Sequence, residues 1–175
     1  MIFATPRLIA RRFSPRDLDA YAAMRADPEV ARYQAWENST IEDAAKRIAE
    51  LENRNPGEPG WFQFALEQRE TGAFIGDCGL RIMEHDHRLA QIGYTLARDH
   101  WNQGHGTEVI RALTGYAFNS FPIHRITASV DPRNQGSCRA LEKAGYVREG
   151  LFRQSEWFKG AWADDAIYAR LRTDM

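Results

Sequence analysis

The segment "WNQGHGTEVIRALTGYAF", residues 101–118, is the part of the chain that says most about fold and function. Two glycines, Gly104 and Gly106, stand between a predicted strand, "AQIGYTLA", and a helical pattern that begins near Thr107. The start of a helix leaves about four backbone amides without partners inside the helix, and the helix dipole favours negative charge there. Glycines allow an anion to approach those amides closely. The segment therefore predicts an anion site, although two glycines can also do no more than shape a turn.

Two common phosphate-binding loops do not fit this spacing. A P-loop needs a lysine followed by Ser or Thr after its second glycine, and the segment has no lysine. A dinucleotide-binding loop needs a third glycine where this chain has Val109. A nucleotide-binding function of either kind is therefore disfavoured.

Length and composition bound the remaining alternatives. A chain of 175 residues favours one domain over residues 1–175. Hydrophobic residues make up 43% and charged residues 27%, and the formal net charge of −1 gives no indication of a nucleic-acid or anionic-membrane surface. Cys78 and Cys138 match neither a disulfide framework nor a zinc module, so no metal site is expected.

The chain also lacks the usual signals for export or membrane insertion. Its opening, "MIFATPRLIARRF", places arginines where a signal peptide needs an apolar run, and no stretch of about 18 apolar residues occurs. We expect a soluble cytoplasmic protein.

Periodicity and turn signals predict alternating strands and helices in the order β α α β β β α β α β β. Ser14 and Pro15 begin the first helix, and Gly72 supplies the turn of a hairpin between two central strands. The strand, helix, strand passage in the middle predicts that part of the sheet is parallel. The fold class is α/β of the α+β type, with a mixed, mostly antiparallel sheet of six or seven strands and about four helices.

The segments "YTLARDHWNQGHGTEVIRALTGYAF" and "HRITASVDPRNQGSCRALEKAGYVREGLFRQSEWFKGAWADDAIYARL" together resemble the GNAT acyltransferase superfamily. The likeness is to its RimJ/RimL-like ribosomal-protein N-terminal acetyltransferase branch. "RLIARRFSPRDLDAYAAMRADPEVARY" resembles the opening of the same branch, so the likeness covers nearly the whole chain. Trp101 replaces the Gln or Arg that most GNAT proteins carry ahead of the two glycines, a replacement typical of this branch.

This resemblance implies that acetyl-CoA is the co-substrate. Its pyrophosphate would lie on the backbone amides of the loop that follows Trp101, which comprises Gln103, Gly104, His105, Gly106 and Thr107. Its pantothenate arm would lie along a strand edge formed by Tyr94, Thr95 and Leu96, held by backbone groups as an added strand would be.

The resemblance also implies catalytic residues. Asn134 opens the second cofactor motif, and seven residues later this chain has Leu141 where many GNAT enzymes carry a tyrosine acid. Ser137 matches a serine beside the cofactor sulfur, and Glu156 matches a carboxylate thought to deprotonate the amine through water. Other roles remain open: Ser137 can be the N-cap of the helix "CRALEKAG", and Glu156 can be a solvated surface carboxylate, although partial burial would suit a base.

The acceptor side has weaker indications. Trp36 is expected in an acceptor groove, and Asp164 is a candidate for amine binding or turn formation. Gln91 stands where relatives often have Glu and cannot act as a base. The loop "EHDHR" at residues 84–88 offers replacement groups or simply a polar connection between strands.

These observations predict an N-acetyltransferase that moves an acetyl group from acetyl-CoA to a protein N-terminus or a small-molecule amine by direct attack. The alternative is a non-catalytic acyl-CoA sensor that kept the loop and lost turnover, as Gln91 and Leu141 would allow. Nucleic-acid and membrane partners are not expected. A homodimer formed through the C-terminal strands is compatible with the sequence.

Overall fold

The computed structural model describes residues 1–37 and 39–174, and its strands form one mixed sheet in the order β1-β2-β3-β4-β5-β6-β8-β7. The only parallel pair among these strands is β5 with β6. The strands are β1 (Phe3–Ala4), β2 (Leu8–Arg11), β3 (Gly60–Gln68), β4 (Phe74–Ile82), β5 (Leu89–Leu96), β6 (Arg125–Val130), β7 (Val147–Phe158) and β8 (Ala161–Leu171).

The helices cover both faces of this sheet. They are α1 (Leu18–Ala26), α2 (Pro28–Ala31), α3 (Ile41–Glu52), α4 (His105–Ser120) and α5 (Gln135–Lys143). One apolar cluster joins α4 and α5 to the sheet, with Leu113, Phe118 and Leu141 against Phe64 and Ile126. A second cluster lies under α1 and α3 on the opposite face, built on Tyr21, Met24, Val30, Ala44 and Ile48.

Short-range sequence signals define the helix starts. Ser14 and Asp17 form a capping box ahead of α1, with Pro15 in the first position of a short 3₁₀ turn. Thr40 and Asp43 form a second capping box at the start of α3. These contacts satisfy backbone amides that the helices themselves leave unpaired.

The predicted α/β fold class is confirmed, with two short additions. The sheet has eight strands, not six or seven, because Phe3–Ala4 pairs with β2 as a two-residue strand. The four-residue helix α2 begins at Pro28 after the N-cap Asp27. Both elements are too short to produce a periodic pattern, and so periodicity could not predict them.

The parallel pair β5–β6 opens partway along its length, and this opening positions the site. The two strands pair only at Leu89, Ala90 and Gln91 of β5, whereas β5 remains paired with β4 as far as Leu96. From Ile92 onward, the edge of β5 that faces β6 has no neighbouring strand. A wedge-shaped opening therefore begins after Gln91, and the connection through α4 brings the glycine loop to its mouth.

Within residues 1–37 and 39–174, no helix combines the length and apolar character that crossing a membrane requires.

Candidate active site

Two adjoining cavities occupy the opening between β5 and β6. The larger, which we call the loop cavity, has a volume of about 420 Å³ and lies beside the glycine loop. The smaller, which we call the cleft cavity, has a volume of about 180 Å³ and lies between the diverging strands. Both are lined by the same five residues at their junction: Tyr33, Gln34, Tyr94, Asn134 and Ser137. A ligand in one cavity can therefore reach a ligand in the other at this junction.

The glycine loop forms the start of α4, as the sequence predicts. Gly104 is the N-cap residue and adopts a left-handed conformation with φ 80°, which side chains rarely tolerate. Gly106 lies against the ring of Tyr94, and a Cβ atom added to Gly106 would be 3.1 Å from the Tyr94 hydroxyl oxygen. The Tyr94 ring of β5 therefore leaves little space for a side chain at position 106.

The N-terminal part of the chain supports this loop from behind. Arg7 Nη1 donates a hydrogen bond to the Gln103 carbonyl at 2.9 Å, and Arg7 Nε donates to Glu108 Oε2 at 2.7 Å. Thr5 Oγ1 donates to the other Glu108 oxygen. Burial raises the pKa of Glu108, but hydrogen bonds from Thr5 and Arg7 outweigh it and hold that pKa below its usual value.

Most of the residues predicted to bind acetyl-CoA line the loop cavity. They share this one surface although they come from β5, the glycine loop and the start of α5: Tyr94, Thr95, Leu96, Trp101, Gly104, His105, Gly106, Thr107, Asn134 and Ser137. Gln103 is not among the lining residues, because its side-chain amide donates to the Asp99 carbonyl at 2.7 Å and stabilises the loop itself.

Trp101 connects the loop to the end of β5. Its indole Nε1 donates a hydrogen bond to the Leu96 carbonyl at 2.8 Å, while 37% of the residue remains exposed. This indole side chain therefore also fixes the position of the last β5 residue. The hydrogen bond to the Leu96 carbonyl thus gives Trp101 a structural role in this site.

His105 is the first residue of α4 and is buried, with 3% of its surface exposed. Its Nδ1 atom has no hydrogen-bond partner among the described residues. Burial, followed by the positive charge of Arg7, lowers the pKa of His105. A neutral imidazole is therefore the expected form beside the glycine loop at pH 7.

Asn134 and Ser137 occupy the first turn of α5. The N-cap residue is Asn134, whose Oδ1 accepts a hydrogen bond from the Ser137 backbone N–H at 3.1 Å. The alternative that Ser137 is the N-cap is therefore wrong, because the chain enters the helix three residues earlier. The Ser137 hydroxyl does not cap the helix. It points to β5, where its Oγ lies 3.1 Å from the Tyr94 hydroxyl oxygen.

The cleft cavity is lined by four carboxylates. Asp131 is paired with Arg133, and Asp165 accepts a hydrogen bond from Ser129 at 2.6 Å. Asp164 accepts from the Gln154 backbone N–H at 2.8 Å and so stabilises the bulge in β7. Glu156 also lines this cavity, and its residue is exposed, so it lacks the partial burial that would suit a base.

The charges of the two cavities are opposite. The cleft cavity has four carboxylates and no Lys, Arg or His among its lining residues. The loop cavity has Arg32, Arg139 and Lys143 against a single carboxylate, Glu29. The loop cavity therefore favours an anionic ligand and the cleft cavity a cationic one.

Trp36 lies away from both cavities. It is half-buried, donates from Nε1 to the Arg25 carbonyl at 3.1 Å, and has the Arg25 guanidinium 3.9 Å above its ring centroid. It is not among the residues that line either cavity. Its role with an acceptor stays a prediction, whereas its contacts with Arg25 are structural.

No residue of the "EHDHR" loop lines either cavity. It connects β4 to the start of β5, and the distance along β5 from Leu89 to Tyr94 is about 16 Å at the usual rise per residue. Within the loop, the Arg88 guanidinium donates hydrogen bonds to both carboxylate oxygens of Asp86. The loop is a polar connection between strands.

Sequence reasoning missed Tyr33 and Gln34, which line both cavities from the segment after α2. It also assigned Tyr94 to the site only through its backbone. The alternation of side chains along β5 could have shown that Tyr94 faces α4 and α5, together with its register partner Cys78. Among the described residues, no group of three His, Cys, Asp or Glu side chains could hold a metal ion.

Comparison with known proteins agrees with this geometry. Residues 7–147 match the family model described as the acetyltransferase (GNAT) domain. The chain is 31% identical over 170 residues to the uncharacterized N-acetyltransferase p20 of Bacillus licheniformis, covering 97% of this chain and 96% of the relative. It is 34% identical over 169 residues to the uncharacterized N-acetyltransferase YoaA of Bacillus subtilis, covering 96% and 95%.

A more distant likeness supports the branch. The Escherichia coli ribosomal-protein-serine acetyltransferase is 28% identical over 97 residues, which is 55% of this chain and 54% of that protein. The RimJ/RimL-like resemblance inferred from the sequence is thereby confirmed.

Solved structures share the fold over nearly the whole chain. The GNAT-family acetyltransferase of Bacillus anthracis superposes with a TM-score of 0.85 at 26% identity, covering 97% of both chains. The spermidine N-acetyltransferase of Vibrio cholerae, solved with CoA and spermine, gives 0.83 at 19% identity and covers 97% and 98%. RimL, the ribosomal L7/L12 α-N-protein acetyltransferase, solved with coenzyme A, gives 0.84 at 18% identity and covers 97% of both chains.

Proposed function

Because the chain belongs to the GNAT acetyltransferase family, whose acyl donor is acetyl-CoA, we propose that it transfers an acetyl group to a primary amine by direct attack. The observation that carries this proposal is the meeting of two oppositely charged cavities at Ser137 and Tyr94. A thioester entering from the loop cavity and an amine entering from the cleft cavity would come together at this junction.

The loop cavity fits the donor. The left-handed Gly104, the close approach of Gly106 to Tyr94 and the free amides at the start of α4 are suited to a pyrophosphate. The basic residues Arg32, Arg139 and Lys143 complement its negative charge. The edge of β5 from Ile92 to Leu96 has no strand neighbour toward β6, which leaves backbone groups for an extended arm.

The cleft cavity fits the acceptor. An amine arrives mostly as an ammonium ion, and the four carboxylates favour that charge. The attacking nitrogen must lose a proton, and we assign the relay of that proton through water to Glu156, which lines the cavity and reaches solvent. Asp164 is proposed to contact the acceptor. It also accepts the hydrogen bond from the Gln154 backbone N–H that stabilises the bulge in β7.

The reaction balances without an enzyme nucleophile. The nitrogen lone pair forms the new N–C bond, the C–S bond breaks, and its electron pair leaves with sulfur. The proton lost from nitrogen passes to water. Ser137 is the group placed to donate a hydrogen bond to the departing sulfur, since its hydroxyl lies at the junction and does not cap α5.

The acceptor is proposed to be a protein N-terminal α-amino group or a small-molecule amine. Two of the similar structures represent these two classes: one is a spermidine N-acetyltransferase solved with spermine, and the other is a ribosomal L7/L12 α-N-protein acetyltransferase. The small volume of the cleft cavity, about 180 Å³, suits the amine end of either class, with the rest of the acceptor outside.

The proposal is tested by thiol release from acetyl-CoA with the purified protein and a panel of N-terminal peptides, amino acids, polyamines and aminoglycosides. Release with one class identifies the acceptor. The variants Ser137→Ala and Glu156→Gln should each lower kcat by about tenfold or more and leave acetyl-CoA affinity nearly unchanged. Acetyl-CoA binding without thiol release from any amine would overturn the proposal in favour of a sensor.

The C-terminal hairpin supports a homodimer, which we propose as the assembly. β7 is an edge strand, and the hairpin exposes several large apolar side chains: Val147, Leu151, Phe152, Trp157 and Trp162. An unpaired edge with exposed apolar groups is a ready surface for a second strand. Sedimentation equilibrium should give twice the chain mass, and Phe152→Glu should shift it to the monomer; a monomeric wild type at micromolar concentration would exclude this assembly.

A further inference from the structure

Tyr94 and Ser137 are 43 positions apart in the chain, yet their hydroxyl oxygens lie 3.1 Å apart at the junction of the two cavities. One comes from β5 and the other from the first turn of α5. This contact joins side chains of two separate elements at the place that both cavities share.

The Tyr94 ring is held firmly in this position. Tyr94 is paired with Cys78 of β4, and Gly106 at the start of α4 lies against the Tyr94 ring. The Asn134 side chain fixes the other partner, because it caps the Ser137 backbone N–H. The Asn134 cap and the packing of the Tyr94 ring against Gly106 therefore position the two hydroxyl groups.

Either hydroxyl group can be the donor in this contact, and acidity favours Tyr94. A phenol is a much stronger acid than an aliphatic alcohol and is therefore the better donor, while the serine oxygen is the better acceptor. Burial raises the pKa of Tyr94, so this phenol keeps its proton at neutral pH. When Ser137 Oγ accepts from Tyr94, its own proton must point elsewhere, and the cavity junction is the open direction.

We propose that Tyr94 is a positioning residue for acetyl transfer: its phenol donates to Ser137 Oγ and thereby directs the Ser137 hydroxyl proton at the departing sulfur. This inference rests on the proposed function. The C–S bond breaks with its electron pair on sulfur, which accepts a hydrogen bond from Ser137, while solvent supplies the proton that the free thiolate takes up after release.

This arrangement explains how the site can work with Leu141 at the position where many GNAT enzymes carry a tyrosine acid. The side chain of Leu141 is buried and lines the cleft cavity, so it can exclude water from the junction but cannot donate a proton. Tyr94 supplies a phenol to the same junction from β5 instead of α5. Polarising Ser137 through Tyr94 strengthens a donor that would be weak alone, because linked hydrogen bonds reinforce one another in a site shielded from water.

The test is a double-mutant cycle of Tyr94→Phe and Ser137→Ala, with kcat and KM measured for each protein. Tyr94→Phe keeps the ring against Gly106 and removes only the hydroxyl. We expect it to lower kcat about tenfold, the effect of one hydrogen bond to a developing charge, with KM for acetyl-CoA changed by less than about twofold. Because Tyr94 acts through Ser137, the double variant should be no slower than Ser137→Ala alone, within about twofold.

The matched control is Tyr146→Phe. Tyr146 is also a buried phenol bonded to a side-chain hydroxyl, that of Thr114 at 2.8 Å, but it lines neither cavity. Its substitution should lower thermal stability without changing kcat. Calorimetric titration with coenzyme A shows that each variant is folded and retains the donor site.

Three outcomes separate the claims. Full activity of Tyr94→Phe, or multiplicative effects of the two substitutions, overturns the role of Tyr94 while the proposed function stands. A tenfold rise in KM for acetyl-CoA with unchanged kcat also overturns it, because that result assigns Tyr94 to donor binding. A wild-type protein that releases no thiol with any amine overturns the proposed function and this inference together.

Discussion

Arg7 connects the two ends of the glycine loop, because one guanidinium bonds both the Gln103 carbonyl before Gly104 and the Glu108 carboxylate after it. The Arg7 Nη2 to Glu108 Oε2 distance is 2.5 Å. The Arg7 side chain therefore helps to fix the loop geometry on which the amides of α4 depend, although it lines neither cavity.

Arg7→Met should therefore weaken acetyl-CoA binding without changing the chemical step. Loss of about 1 kcal/mol from one hydrogen bond to the loop corresponds to roughly a fivefold rise in Kd. Calorimetric titration measures this directly, and kcat at saturating acetyl-CoA should stay within about twofold of wild type. Arg16→Met, which removes an exposed arginine paired with Glu67, is the control and should leave Kd unchanged; equal affinity in both variants would show that the loop does not need Arg7.

The left-handed conformation of Gly104 gives a second prediction. Gly104 has φ 80° and Gly72 has φ 72°, so alanine is strained at both positions, and a Cβ at Gly72 would meet nothing within 4 Å. Each substitution should lower the free energy of unfolding by about 1 kcal/mol. Urea unfolding measures that loss, and only Gly104→Ala should also weaken acetyl-CoA binding. If Gly72→Ala weakens binding to the same extent, the effect is one of general stability.

A buried ion pair at the start of α1 predicts a large loss of stability. Arg11 donates to both oxygens of Asp17 at 2.7 Å and to Glu67 at 2.6 Å, and the Asp17 side chain is 2% exposed. Breaking such a pair leaves a buried charge uncompensated, which costs about 3 kcal/mol. Arg11→Met should lower the free energy of unfolding by this amount at pH 7, measured by urea denaturation.

The pH dependence of this loss has a defined sign. Burial raises the pKa of Asp17, but its hydrogen bonds with Arg11 and Ser14 outweigh burial and bring that pKa below the ordinary value of 3.8. The stabilisation is therefore present above about pH 4 and disappears as the pH falls through the pKa of the folded state. The difference between wild type and Arg11→Met should shrink below pH 4; a difference that grows on acidification would contradict the pairing.

The sequence predicted the parts of the site that depend on local chemistry. Gly104 and Gly106 indicated the α4 start because left-handed and close-approach positions select glycine, and Asn134 could be placed beside α5 from its motif. The wedge after Gln91 could not be predicted, since it depends on where two strands stop pairing, which no local pattern encodes. The same is true of the contact between Tyr94 and Ser137, which requires the packing of α5 on β5.

The residues on the acceptor side of the site were also hard to predict, because their positions depend on tertiary packing. The prediction for Trp36 rests on its position in a polar stretch of the sequence, whereas the structure shows the Arg25 guanidinium packed on its ring. Tyr33 and Gln34 have no distinctive spacing in the sequence, and they line both cavities from the segment that follows α2. Identifying them needed the tertiary structure.

Asp77 carries the last prediction, because its carboxyl group is buried in the sheet beneath α1 and α3. It is 3% exposed, Oδ1 lies 3.5 Å from Gln63 Nε2, and Oδ2 has no partner among the described residues. The charged groups that affect it are Arg25 on α1 and Arg47 on α3. Burial raises the pKa of Asp77 to about 7, although both arginines lower it.

The folded protein therefore keeps a proton that the unfolded chain releases near pH 4. The contribution of Asp77 to stability should fall as the pH rises from about 4 to about 7, by on the order of 4 kcal/mol. Asp77→Asn cannot ionise, so the variant should lack this decline and exceed wild type in stability at pH 8. Urea denaturation from pH 4.5 to pH 8 measures both curves. Asp86→Asn, which alters a partly exposed carboxylate paired with Arg88, should keep the wild-type slope over this range; parallel curves for wild type and Asp77→Asn would show that Asp77 is ionised throughout in the folded protein.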